Sequence, residues 1–269
     1  MEPPVPQAIA VLTVATNRYL DYWKDMAESA DRSLSPGSRI VFYVFTDRPE
    51  EAQLVGKSLL RSTVVPIQIL PLGWPEATLL RYALFRDSWN LVNEELVIHL
   101  DADMLVTART LIHPAPTEWP NGIALVRHPG FRRPKFMQRL RLYFESPTML
   151  KGDVKMRLHM GGLGSWETAP ESKAYVPRRM RHTYVCGGTW MGSRNSIGQM
   201  IRTLADRTQD DLNSGLIATW HDESHLNWFA STHSVELMDS QKCYAPGYPN
   251  LKDLTAEIVA VDKGAHRTR

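Results

Sequence analysis

Cysteine, long apolar runs and an excess of charge of either sign are all scarce in this sequence. Cys186 and Cys243 are the only cysteines among 269 residues, so neither a disulfide framework nor a zinc spacing is present, and a reduced, intracellular protein is expected. No apolar stretch approaches the roughly 18 residues that a membrane span needs. The net charge of +2 argues against a protein whose main partner is nucleic acid.

Targeting signals, repeats and the dinucleotide fingerprint are also missing. Residues 1–7 lack the basic segment of a signal peptide, and no GxGxxG follows any predicted strand, which disfavours a conventional dinucleotide site. No low-complexity tract or linker divides the chain. We therefore expect a single domain over residues 1–269 and a cytoplasmic location.

The most informative stretch is Leu96–Leu100, which runs directly into Asp101 and Asp103. A continuous apolar run of this length predicts a strand buried on both faces of a sheet. Its carboxyl end is where open α/β sheets bind ligands, and carboxylates placed there suit a hard divalent metal that also holds a diphosphate. A strand-end turn with solvated aspartates is the alternative.

Further strands are predicted at residues 9–14, 40–45 and 64–70, and the last of these contains Pro66, which favours an edge position. Helices are predicted after the first strand, over residues 75–92, and around residues 196–206. Alternation of strands and helices predicts a mostly parallel sheet covered on both faces.

Residues 132–164 form a basic insertion, with eight Lys or Arg against Glu145 and Asp153. Phe136, Leu140 and Phe144 recur among the basic residues at helical spacing. The segment is interpreted either as a solvated helical insertion or as an amphipathic element that contacts an anionic partner or membrane.

The sequence Trp220-His221-Asp222-Glu223-Ser224-His225 concentrates titratable side chains beside an indole. At a helix start, Asp222 and Glu223 could complement the positive helix end. Alternatively, they are carboxylates that act at a sugar carbon, with the aromatic ring stacking on a sugar face.

Several motifs occur together in a fixed order: residues 44–47 (VFTD), 101–103 (DAD), 128–131 (HPGF), 174–177 (AYVP), 187–188 (GG) and 220–227 (WHDESHLN). In this order they resemble glycosyltransferase family 6, which includes the histo-blood-group A and B transferases and the α-1,3-galactosyltransferase. The resemblance runs from about Ile9 to the C-terminus, interrupted by the basic insertion. It implies an α/β fold of the GT-A type, a UDP-GalNAc or UDP-Gal donor, and retaining α-1,3 transfer to a galactoside.

The resemblance also implies roles for individual residues. Uridine contacts are implied for Val14, Ala15, Thr16 and Tyr19. Arg81 matches the arginine that steadies the two aspartates and the donor, and Asp101 and Asp103 match Mn²⁺ ligands. Acceptor contacts are implied for His128 and Trp220. His221 and Asp222 match residues around the donor sugar, with Glu223 as the candidate nucleophile. Lys263 and Arg269 match basic residues that close over the diphosphate.

The donor pocket follows from the same resemblance. Gly130 and Gly188 match the positions that shape the space around C2 of the donor sugar, which predicts room for an N-acetyl group. Gly187 adjoins them, and Cys186 stands where the family varies a larger apolar residue, so we expect a thin pocket wall there.

This sequence also departs from the family. The chain begins almost at the first strand, as in bacterial and phage members, and it keeps both aspartates where many bacterial members carry amides. The acceptor is expected to be a galactoside glycan or its lipid-linked precursor. Another UDP-sugar transferase and a non-catalytic glycan-binding protein are the alternatives.

Overall fold

A computed structural model describes residues 8–108, 110 and 119–261 of the chain. Seven strands form one sheet in the order β3-β2-β1-β4-β7-β6-β8, and β5 pairs with β9 in a small second sheet. The strands are β1 (Ala8–Val14), β2 (Arg39–Thr46), β3 (Ser62–Gln68), β4 (Leu96–Leu100), β5 (Met104–Val106), β6 (Ile123–Arg127), β7 (Val185–Ser193), β8 (Glu236–Met238) and β9 (Ile258–Ala260). The helices are α1 (Tyr19–Ser33), α2 (Pro49–Gly56), α3 (Glu76–Leu79), α4 (Arg81–Asp87), α5 (Phe136–Glu145), α6 (Pro147–Met160), α7 (Arg194–Asn213) and α8 (His221–Thr232).

The central sheet is mostly parallel, as the sequence predicted. β3, β2, β1 and β4 run parallel to one another, whereas β7 is antiparallel to both β4 and β6. β4 is buried along its whole length, and β3, which contains Pro66, lies at the sheet edge. The mixed α/β architecture agrees with a GT-A-like fold.

Alternating side chains of each strand feed two apolar layers, because successive residues of a strand point to opposite faces of the sheet. Val11 belongs to one layer with Trp23 of α1. Leu12 belongs to the other with Phe85 of α4 and Leu204 of α7. Helices therefore cover both faces of the sheet, as predicted.

The position of the site follows from the strand order. The order in which the chain places its strands reverses at β1, since β2 and β3 lie on one side of β1 and β4 lies on the other. Such a switch point leaves a crevice beyond the carboxyl ends of the two central strands. Val14 ends β1 and Asp101 follows β4, so both lie at this crevice.

The predicted single helix over residues 75–92 is wrong, because the segment is divided into α3, α4 and a short 3₁₀ turn. Between the two helices Leu80 has φ −93° and ψ 0°, away from the α-helical ψ near −42°. This turn precedes Arg81, which is buried and forms ion pairs with Asp101 and Asp222. The apolar periodicity of the sequence could not reveal these ion pairs. Leu91, expected on the buried side, is 42% exposed.

The basic insertion folds as α5 and α6, which contact each other. Phe136 and Phe144 are 62% and 86% exposed, so much of the apolar face of α5 faces solvent. Across the described residues, no helix combines the length and the apolar character needed to span a membrane.

Candidate active site

A cavity of about 540 Å³ lies at the crevice between β1 and β4. Its walls bring together six of the residues that the sequence singled out: Val14, Thr16, Tyr19, Arg81, Asp101 and Asp103. Ala15 is fully buried behind this wall, where its N–H donates to the carbonyl of Phe45 at 2.8 Å. The cavity therefore joins the predicted uridine contacts to the predicted metal ligands.

The floor of the cavity at β1 is fixed by polar contacts to the segment that precedes α3. The Thr16 hydroxyl donates to the Leu72 carbonyl at 2.7 Å, and the Asn17 side-chain amide donates to the same carbonyl at 3.0 Å. Asn17 has a φ of 54°, a left-handed conformation that asparagine tolerates better than most residues. Because this turn opens at the strand end, Tyr19 at the start of α1 lines the cavity.

Arg81 is the central charged group of the site. Its Nη2 donates to Asp101 Oδ1 at 2.6 Å, and its Nη1 donates to Asp222 Oδ2 at 2.8 Å. Asp101 directly follows β4 and Asp222 belongs to α8, so the two carboxylates lie far apart in the chain. A planar guanidinium can hold both at fixed geometry, which an ammonium could not do in the same way. Burial alone would lower the pKa of Arg81, but Asp101 and Asp222 raise it, so the group stays charged.

Asp101 and Asp103 present carboxylates at the cavity wall, and their chemistry fits a hard divalent ion. Within the described part of the chain, no third His, Cys, Asp or Glu completes a metal-binding group with them. A metal ion that the protein binds through only two carboxylates keeps coordination positions open for water and for ligand oxygens. These residues thus fit a metal that is held jointly with a diphosphate.

Glu223 and Asp222 occupy the first turn of α8, beside β7. The Gly187 N–H donates to Glu223 Oε2 at 2.8 Å. Asn227 fixes the helix on the strand, because its side chain bonds both backbone groups of Val185, at 2.8 and 2.9 Å, and the carbonyl of Glu223 at 2.9 Å. Gly187 thus holds the Glu223 carboxyl, and Asn227 holds its backbone.

The acidity of both carboxyls is shifted by their surroundings. Burial raises the pKa of Asp222 to about 6, against the opposing charge of Arg81. Burial likewise raises the pKa of Glu223 to about 7, whereas hydrogen bonds from Gly187 and from the Tyr184 hydroxyl lower it. Strongly shifted carboxyls in a cleft are typical of functional sites.

His221 begins α8 in a strained conformation, with φ of 45°. A non-glycine residue rarely adopts this left-handed backbone, and such strain concentrates at functional sites. The His221 ring contacts the Trp74 ring edge-on at a centroid distance of 5.2 Å, and its Nδ1 lies 3.3 Å from the Thr78 hydroxyl. His221 therefore borders the cavity that Trp74 and Thr78 line.

His128 and Trp220, the predicted acceptor contacts, are not among the residues that line the cavity. Burial lowers the pKa of His128 to about 4, and its Nδ1 accepts the Gly130 N–H at 3.1 Å. The neutral ring accordingly carries its proton on Nε2, where it can donate to a hydroxyl. Trp220 is 49% exposed and presents an indole directly before α8.

The glycines do not all border open space. A Cβ on Gly188 would lie 2.9 Å from Met104 Cε and 3.0 Å from Asp101 Oδ2, so the missing side chain makes room for these two groups. A Cβ on Gly130 would lie 3.2 Å from the Tyr248 ring. Cys186 is buried beside Cys243, and both are free thiols.

Sequence reasoning missed several residues that shape the site. Trp74, Thr78 and Asn17 line the cavity, and Tyr184 and Asn227 hold Glu223. Asn227 lies inside a motif that the sequence did mark, but its side-chain clamp depends on the distant β7. Lys263 and Arg269 lie outside the described residues.

Comparisons with known proteins agree with this geometry. The family model described as Glycosyltransferase family 6 matches residues 164–255, which include β7 and α8. Histo-blood group ABO system transferases 1 and 2 of Rattus norvegicus are 25% and 24% identical over 270 residues; each alignment covers 97% of this chain, with 68% and 71% of the relatives. The O-antigen biosynthesis glycosyltransferase WbnI of Escherichia coli is 22% identical over 256 residues, covering 95% of this chain and 94% of that protein.

Proposed function

We propose that this chain is a member of glycosyltransferase family 6 and that it transfers GalNAc or Gal from a UDP-sugar to a galactoside, in α-1,3 linkage and with retention. The observation that carries the proposal is the link through Arg81, which joins Asp101 on the cavity wall to Asp222 beside Glu223. A donor lying in the cavity with its diphosphate at Asp101 and Asp103 would direct its sugar toward α8.

The residues of the site have distinct tasks in this reaction. Asp101 and Asp103 would hold Mn²⁺ or a similar ion, which when bound supplies positive charge against the leaving diphosphate. Arg81 keeps Asp101 oriented. Glu223 acts at the anomeric carbon, either as the nucleophile or by stabilising positive charge that develops on the sugar ring.

The acceptor is proposed to bind between His128 and Trp220. The Nε2–H of neutral His128 suits a hydrogen bond to a sugar hydroxyl. The exposed indole of Trp220 suits the apolar face of a galactose ring. A galactoside offers both features, since hydroxyls and an apolar C–H face lie on the same ring.

UDP-GalNAc is proposed as the preferred donor and UDP-Gal as the poorer one. The support is the pair Gly130 and Gly188 at the positions that the family resemblance assigns to the sugar C2. Extra room changes discrimination between such sugars by only about 10- to 100-fold. Side chains occupy the space beside both glycines, Met104 and Asp101 at Gly188 and Tyr248 and His128 at Gly130. The donor preference therefore rests on the family resemblance.

The basic insertion is proposed to contact an anionic membrane that carries a lipid-linked acceptor. Exposed Phe136 and Phe144 on α5 lie among Lys and Arg side chains, as in helices that rest at a lipid interface. Each basic residue near such a surface adds up to about 1 kcal/mol, which salt screens. Binding to anionic vesicles should weaken as the ionic strength rises, and binding that is absent or independent of salt would contradict the contact.

The test of the proposed function is product analysis with a β-galactoside and each UDP-sugar. We expect a disaccharide with the new sugar α-linked at O3, identified by nuclear magnetic resonance. A β-linked product would contradict retention, and transfer to another hydroxyl would contradict the assignment of His128 and Trp220 to the acceptor.

A further inference from the structure

Two adjoining cavities lie beside the acceptor side of the site and share Arg133. The first, of about 140 Å³, is lined by Arg127, Phe131, Arg133, His182 and Tyr184, among others. The second, of about 380 Å³, lies against α5 and α6 and is lined by Arg133, Arg139, Tyr143, Leu150, Asp153, Val154 and Arg157. We call the two together the arginine groove.

The arginine groove carries an excess of positive charge. Among the described residues, none of the carboxylates forms an ion pair with Arg133, Arg139 or Arg157. The one carboxylate on its walls, that of Asp153, accepts the Tyr143 hydroxyl at 2.6 Å. Desolvation and the neighbouring charges of Arg157 and Arg139 lower the pKa of Arg133. An anion bound among these three guanidiniums would relieve their mutual repulsion.

The arginine groove begins next to the proposed acceptor residues. The Phe131 ring lines its first cavity and lies 4.8 Å from the His128 ring, centroid to centroid. Tyr184 lines the same cavity; its hydroxyl donates to the Ser165 carbonyl at 3.2 Å and lowers the pKa of the nearby Glu223. One layer of aromatic rings therefore separates the arginine groove from the reaction site.

The outer part of the arginine groove combines charge with apolar surface. Leu150 and Val154 of α6 line the second cavity and are 41% and 47% exposed. Guanidiniums bind phosphate oxygens through paired N–H groups, and the adjacent aliphatic side chains suit a hydrocarbon. The chemistry that matches both is a phosphate ester of a lipid.

We propose that the arginine groove binds the phosphate-bearing lipid end of the acceptor, so that the acceptor is a glycosyl diphosphate carried on an apolar chain. This rests on the proposed function, which places the acceptor sugar at His128 and Trp220. Phosphate at Arg133 and Arg157 holds the far end of the acceptor while its terminal galactose reaches the donor. The groove adds affinity for the acceptor and takes no part in the chemical step.

The experiment compares two soluble acceptors that share a disaccharide ending in β-galactose. One has an octyl aglycone and the other an octyl diphosphate aglycone. For wild type, we expect KM to be at least about tenfold lower for the diphosphate acceptor, with similar kcat, because each charge-assisted contact is worth about one power of ten. The double variant Arg133→Gln/Arg157→Gln should raise this KM by the same factor, to that of the octyl acceptor, and leave the KM of the octyl acceptor unchanged.

Arg141→Gln is the matched control, because Arg141 lies on α5, is 82% exposed in its side chain and pairs with Glu145 outside the groove. It should leave both KM values unchanged. Equal KM values for the two acceptors in wild type would overturn the proposal. So would vesicle binding that depends on Arg133 and Arg157 while the two soluble acceptors remain equivalent, since the groove would then recognise membrane headgroups.

A binding measurement separates this proposal from the proposed function. Octyl diphosphate is titrated calorimetrically into the protein with saturating UDP and Mn²⁺, so that the donor site is filled, and the heat of the same titration without protein is subtracted. Binding that the double variant loses supports the groove even if neither acceptor is glycosylated. No binding to wild type overturns it, even if transfer to the octyl acceptor is efficient.

Discussion

The Arg81 guanidinium and the Asp222 carboxylate form an ion pair of 2.8 Å in which each side chain is only 6% exposed. Removal of one partner from such a buried pair leaves an uncompensated charge, which costs about 3–5 kcal/mol. Arg81 also pairs with Asp101, so this single side chain couples the cavity wall to the start of α8.

Arg81→Met is therefore expected to lower the free energy of unfolding by about 3–5 kcal/mol at neutral pH. Arg86→Met is the matched control, because Arg86 lies on the same helix and pairs with Asp87 and Asp206 in more exposed positions. The control should cost less than about 1 kcal/mol. Chemical denaturation of the three proteins measures the difference, and equal stabilities would contradict a central role for Arg81.

Glu223→Gln should lower kcat by about 100-fold or more, because the amide can neither attack nor stabilise positive charge as a carboxylate does. Donor affinity should change little, since Glu223 lies outside the walls of the donor cavity. Equilibrium binding of the UDP-sugar and steady-state kinetics separate the two effects. An unchanged kcat would assign Glu223 to the helix start alone.

The pH dependence of wild type should report the same carboxyl. The pKa of Glu223 is about 7, so kcat/KM should fall about tenfold per pH unit below that value as the carboxylate becomes protonated. The Tyr184 hydrogen bond lowers this pKa, and Tyr184→Phe should therefore move the midpoint to higher pH. A midpoint that stays in place would show that Tyr184 does not hold the carboxyl.

The stability of the protein without donor should show the opposite trend with pH. Glu223 has a pKa of about 7 in the folded state, against 4.5 for a glutamate exposed to water. Its stabilising contribution is complete below pH 4.5 and is lost as the pH rises through 7, because the folded state must then ionise a carboxyl that protein surrounds.

At pH 8, Glu223→Gln should consequently be more stable than wild type, by about 2 kcal/mol; the partly exposed position of the residue keeps the gain below the full linkage energy. The difference should shrink toward pH 4.5. Glu171→Gln, a change of an exposed glutamate, controls for the general loss of negative charge. A variant that is less stable than wild type at pH 8 would contradict the raised pKa.

Gly188→Ala should reduce kcat with both UDP-GalNAc and UDP-Gal, because the added Cβ would press on Asp101 Oδ2 and Met104 Cε. Gly152→Ala is the control, since a Cβ there meets nothing within 4 Å. A shift of donor preference toward galactose with kcat intact would instead show that Gly188 borders the acetamido group, as the family resemblance implied.

Much of the fold could be predicted from the sequence, because buried strands such as β4 show as apolar runs and Pro66 limits where β3 can lie. The kink at Leu80 could not, since apolar residues continue at helical spacing through it. It directly precedes Arg81, which pairs with two carboxylates from distant parts of the chain. The small β5–β9 sheet was also missed, because three-residue strands carry little periodicity.

The candidate site shows the same division. Asp101 and Asp103 were marked by the strand that precedes them, and a hard divalent metal was expected there because carboxylates at a strand end suit one. The neighbours that a Cβ on Gly188 would meet depend on the folded backbone, so the sequence could not reveal them. The clamp from Asn227 to Val185 likewise depends on contact between α8 and β7.

The most direct test of the account is donor hydrolysis by wild type and by Asp103→Asn, measured as UDP release from UDP-GalNAc, UDP-Gal and UDP-Glc with Mn²⁺ or with excess EDTA. The account predicts release that requires metal, prefers UDP-GalNAc, and falls by several orders of magnitude in the variant, whose fold is checked by circular dichroism. Asp206→Asn, a change on the exposed face of α7, should behave as wild type. Full activity in EDTA, or an active Asp103→Asn, would contradict the account.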